Sequence, residues 1–147
     1  MSDLSSRAVL NQLIETCKDG ALGFQHAAEL VSDAEFKTLF TDLAHRRSQV
    51  AAELLPHAQR FGGNEAANGT TAAALHRKWM DVRDNWSGHD DRAILAEARR
   101  GDSLTVASFK DALAGVLPAS VRDMVERQYA EIRGGHDALD QTQLSAI

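Results

Sequence analysis

The sequence predicts an all-α fold: a four-helix bundle running up, down, down, up, with an extra helix in the long connection between the second and third helices. Two observations carry that prediction. Apolar residues recur at steps of three and four along four long stretches, the period of a helix with one buried face. Only a few residues separate the first stretch from the second and the third from the fourth, whereas a long connection lies between the middle two. Helices joined by a tight turn run antiparallel, and a long link lets its two helices run parallel. A chain of 147 residues is long enough for one domain, 1–147, with a substantial core.

The first helix is expected at about 4–31. Its stripe is Leu10, Leu13, Ile14, Cys17, Ala21, Phe24, Ala28 and Val31, with Gly20 and Gly23 as interruptions that close approach of another helix, or a kink, would explain. Ser32 and Glu35 have the spacing of a capping box for a second helix at about 34–61. That helix carries Phe36, Phe40, Leu43, Val50, Leu54 and Phe61, with Arg47 where an apolar residue is expected. Pro56 should bend or end it, and Gly62-Gly63 terminates it.

The crossover helix is expected at 71–86, capped by Thr70 or Thr71 and anchored on the bundle side by Trp79 and Trp86. Asp90 suits the cap of the third helix, 90–115, whose stripe runs Ile94, Leu95, Ala98, Asp102, Thr105, Phe109, Ala112, Leu113 and Val116. Pro118 suits the start of the fourth, 119–144, with Val121, Val125, Gln128, Ile132, Gly135, His136 and Leu139 inward.

Aligning four such helices gathers the polar interruptions into one band. Asp19, Arg46 or Arg47, Asp102 and Glu131 fall at about one height, and His136 and Glu97 lie about one turn, ~6 Å, toward one end. Two chemistries suit such a band. A di-metal centre needs several carboxylates and usually two Glu-x-x-His pairs. The nearest pattern is Asp42-x-x-His45, set toward the flank of the second helix, while the fourth helix has Arg133 three before His136. Candidate metal ligands are therefore Asp19, Asp42, His45, Glu97, Glu131 and His136. The other chemistry is a buried ion-pair network of Arg46 or Arg47 with Asp19 and Asp102, which fixes helix register more than it stabilises.

Composition narrows the partners. A net charge of −5 speaks against nucleic acid, and no apolar run approaches the ~20 residues of a membrane span. No basic stretch followed by an apolar one opens the chain, so no secretory leader is expected. The lone cysteine, Cys17, lies on an apolar stripe, reads as a core residue, and fits a reducing cytoplasm. Phosphate-cradling glycine loops and nucleophile elbows are absent.

Several segments recur together in one known family: Cys17-Lys18-Asp19-Gly20, Leu39-Phe40 leading to Arg47 and Glu53-Leu54, Leu75-His76-Arg77-Lys78-Trp79-Met80, Glu97 to Gly101 with Asp102, and His136-Asp137. In this order they resemble a bacterial ferritin-like family of unknown function, over nearly the whole chain. The resemblance implies a ferritin-like bundle in a bacterial, cytoplasmic protein, linked in some members to stress, and no established activity. The metal ligands of the wider superfamily carry over poorly, and Arg99 and Ser103 depart from the family's more acidic segment.

The leading expectation is a non-catalytic structural or interaction module without a cofactor, with a homodimer compatible with a flat bundle side. The alternatives are a protein that holds two Fe or Mn ions and oxidises Fe(II) or activates oxygen, and a small-molecule binder with its pocket in the polar band.

Overall fold

Four helices make up the part of the chain that the computed structural model describes, residues 3–62 and 90–145. They are α1 (Asp3–Leu30), α2 (Ala34–Arg60), α3 (Asp91–Ala114) and α4 (Ala119–Ser145), and no strand occurs among the described residues. The crossover helix expected at 71–86, with Trp79 and Trp86, lies outside them.

The direction of each helix follows from a few contacts. The short turn after Leu30 sends α2 back along α1. Asp91, at the start of α3, accepts hydrogen bonds from the backbone N–H groups of Ser32 (2.9 Å) and Asp33 (2.8 Å) in that turn. So α3 starts where α1 ends and runs in the same direction as α2, packed on α1. The turn between Ala114 and Ala119 then sends α4 back, parallel to α1. α1 packs most extensively on α2, α3 bridges α1 and α4, and the seam between α2 and α4 is thin.

The local chemistry explains the helix ends. Asp33, rather than Ser32, caps α2: its Oδ1 accepts from Glu35 N at 2.8 Å and Phe36 N at 3.2 Å. The Ser32-x-x-Glu35 capping box does not form, because a carboxylate one residue later reaches the first-turn donors while Asp91 holds the backbone of Ser32. Asp90 caps α3, accepting from Ala93 N at 2.9 Å. Pro56 does not end α2, which continues to Arg60. Pro56 lies on the exposed face, where water can serve the carbonyl it leaves unbonded. Gly62 takes φ 121, a conformation suited to glycine, and a Cβ there would meet the Arg7 side chain at 2.9 Å. Val116 falls in the α3–α4 turn and is exposed, so it does not extend the α3 stripe.

The core comes in two parts. Leu10, Leu13, Ile14, Cys17, Val50, Leu54, Phe109, Val121, Val125 and Ile132 fill one end. Phe24, Ala27, Val31, Phe40, Leu43, Ile94, Leu95, Ala98 and Leu139 fill the other. On α2, Arg47 separates the two sets. On α3 the separators are Asp102 and Thr105, and on α4 they are Gly135 and His136. Gly20 and Gly23 are buried in an α1 that runs unbroken past both.

Candidate functional site

A fully buried ion pair joins α2 to α3 at this junction. Arg47 Nε and Nη2 donate to Asp102 Oδ1 at 3.2 and 3.1 Å, and Nη2 also reaches Oδ2 at 3.1 Å. Both side chains are 0% exposed, which makes this a dry pair rather than a surface one. Two charges removed from water lose several kcal/mol of hydration each, and fork-like geometry is what returns it.

The fourth helix completes the arrangement. His136 is largely buried, and its Nδ1–H donates to Asp102 Oδ2 at 3.0 Å. A carboxylate only accepts, so the proton of that bond is carried by the imidazole. Arg47 Nη2 reaches the carbonyl of Ile132 at 3.5 Å, and its guanidinium lies over the Phe24 ring, 5.8 Å from the centroid. Phe24 in turn stacks on Phe40, with centroids 6.1 Å apart. Arg47 Nη1 is buried without a hydrogen-bond partner.

Gly135 makes room for the guanidinium. A Cβ there would lie 2.8 Å from Leu43 Cδ2 and 3.2 Å from Arg47 Nη2, so α4 approaches Arg47 closely only because this residue has no side chain. Its neighbour Gly134 has nothing within 4 Å of the corresponding position.

The remaining expected residues separate into those inside the bundle and those outside it. Asp19 is buried on α1. Glu131 is half-buried on α4, and its charge acts on the buried Cys17 together with those of Arg47 and Asp102. Burial pushes the Cys17 thiol up to about 12, with Arg47 pulling the other way. Glu97 accepts from Arg100 Nη1 at 3.2 Å through Oε1, while its Oε2 is shut away from solvent without a partner.

Arg46 is not in the network. It is exposed, and its Nε pairs at 3.0 Å with Asp42, one turn earlier on the outer face of α2. His45 is exposed too and lines a shallow groove with Lys37 and Thr41. One residue is ~100° of helix, enough to turn Arg46 to water while Arg47 points inward.

The donor set does not fit a di-metal centre. Among the described residues, no three His, Cys, Asp or Glu side chains come together to hold an ion. Asp42 and His45 face outward, and the fully buried carboxylate of Asp102 is already bound by a guanidinium. His136, a candidate metal ligand by its sequence position, instead meets Asp102. Their positions on adjacent helices, one turn apart in height, carried that signal.

A second polar tie crosses the thin α2–α4 seam, and nothing in the sequence pattern had marked it. Glu53 accepts from Arg127 Nη2 and Gln128 Nε2, each at 3.3 Å. Gln128 is itself fully buried.

Fold and site together define a helical bundle whose centre is occupied by its own charges. The family described as a domain of unknown function (DUF2383) matches residues 6–115, and the chain belongs to that family. The match takes in α1, α2 and α3 almost entirely and stops before α4, so His136 and Gly135 lie beyond it. No curated protein matches the sequence.

Proposed function

We propose that this chain is a non-catalytic bundle protein of the ferritin-like superfamily, a structural or interaction module of bacterial stress physiology, in which an arginine–carboxylate network takes the place of a metal centre. The observation that carries the reading is the fully buried Arg47–Asp102 pair, closed by His136, at the middle of the bundle. A guanidinium there supplies the positive charge that a cation supplies in metal-carrying bundles, and its forked N–H groups use the carboxylate oxygens a metal would need. The reading extends to a cytoplasmic location and a homodimer as the simplest partner. No helix among the described residues is long and apolar enough to cross a membrane.

Metal content tests it. The purified chain is loaded anaerobically with Fe(II), desalted and assayed by mass spectrometry. The expected result is no retained iron. About two ions per chain, lost on His136→Ala, would overturn the reading in favour of an iron- or manganese-carboxylate protein.

A further inference from the structure

We propose that Arg47 is the residue that keeps divalent cations out of this bundle, and that removing its guanidinium opens a site for one such ion bound by Asp102 and His136. The inference rests on the reading above, that the guanidinium stands where a cation could stand. Its geometric basis is the separation of His136 Nδ1 and Asp102 Oδ2, 3.0 Å. Nitrogen and oxygen ligands lie ~2.1 Å from such an ion, so two of them are ~3.0 Å apart at an octahedral right angle and ~3.4 Å apart at the tetrahedral angle zinc prefers, within a small side-chain adjustment of the separation here. The two side chains are therefore already spaced as neighbouring ligands of one ion. In the native chain a proton and a guanidinium fill the role of that ion. Arg47 Nε and Nη2 take both oxygens of Asp102, and the bonded proton sits on His136 Nδ1. An incoming dication would meet the guanidinium charge at bonding distance in a site closed to water.

Truncating Arg47 reverses each of these conditions. The carboxylate loses its buried counter-charge, which is strongly unfavourable, and the volume of the guanidinium opens beside it. Gly135 adds no side chain to fill that space. An imidazole with a carboxylate suits zinc, nickel, iron(II) or manganese, with water completing the coordination. Binding through Nδ1 displaces the proton from that nitrogen, and the neutral ring then carries it on Nε2, so the imidazole is neutral before and after.

The experiment uses the full chain, as wild type, Arg47→Ala, Arg47→Gln and Arg47→Ala/His136→Ala, each melted in EDTA and in excess Zn(II), with zinc counted after desalting. The expected result is a wild type unchanged by zinc. Arg47→Ala melts several degrees higher in zinc than in EDTA and retains about one ion, and the double variant loses both effects. If Arg47→Ala is unfolded in EDTA, recovery of helical circular dichroism on adding zinc is the same result. Arg47→Gln, which keeps most of the side-chain volume without the charge, serves as the folded comparison. A folded Arg47→Ala without zinc binding, an unfolded Arg47→Ala that zinc does not restore, or an equal gain in wild type overturns the inference. Failure here with an iron-free wild type leaves the preceding reading standing, whereas iron retained by the wild type brings down both.

Discussion

Arg47 is worth more to the fold when it is removed than when it is counted. Its pair with Asp102 returns hydration energy rather than adding to it, but losing one partner strands a charge in a dry core. Arg47→Met is expected to cost about 3–5 kcal/mol, while Arg47→Met with Asp102→Leu recovers most of that loss. Urea denaturation of the two variants checks the contrast, and an unchanged midpoint for Arg47→Met alone would mean the pair carries no such weight. Cys17 gives a second residue-scale test. Its thiol ionises near 9.0 without the fold and near 12 within it. A raised pKa means that the folded state holds the proton more tightly. The contribution is complete below pH ~9 and is lost as pH rises toward ~12. Cys17→Ala should flatten that alkaline decline in melting temperature, and the native thiol should resist alkylation at pH 8 until denaturant is added. The inward position of Arg47 could be read from its place on an apolar stripe. The exclusion of Arg46 could not, because neighbouring positions on a helix drift relative to an ideal stripe and only the pairing with Asp42 decides between them.

The paired glycines of α4 behave oppositely because the helix presents them to different surroundings. Gly135→Ala is expected to destabilise by about 1–3 kcal/mol, since the new methyl would press on Leu43 and the Arg47 fork. Gly134→Ala is expected to stabilise by up to ~1 kcal/mol, since it meets nothing and stiffens the unfolded chain. Thermal melts of the two variants should move in opposite directions, and a shared direction would refute the close approach at Gly135. At the helix starts, Asp33→Ala should cost ~1 kcal/mol and Ser32→Ala almost nothing, because only the former supplies the cap. Helix periodicity was strong enough to be read over all four described helices. Their caps were less legible, since Ser-x-x-Glu and Asp-x-Glu overlap here and the winner is decided by Asp91, fifty-eight residues away from Asp33.

Across the whole molecule, apolar stripes specify that four helices pack, and polar contacts specify how they align. The stripes were visible in the sequence because each follows a helix period. The ties from Asp91 to the first turn, and from Glu53 to Arg127 and Gln128, were not, because each joins distant residues whose types are ordinary on a solvated surface. The thin α2–α4 seam depends on such ties, so Glu53→Ala should speed amide exchange in α2 and α4 near the seam more than in α1. Uniform acceleration throughout the bundle would argue against that local role. The clasp at Asp91 also has a consequence for registration. It fixes α3 at one end, and Asp102 fixes it again eleven residues on, ~16 Å along the axis. A rod pinned at one point can still pivot, and one held by greasy contacts alone can slide by a turn. Pinned at two points, α3 can do neither, and its register against the first two helices is held by these contacts.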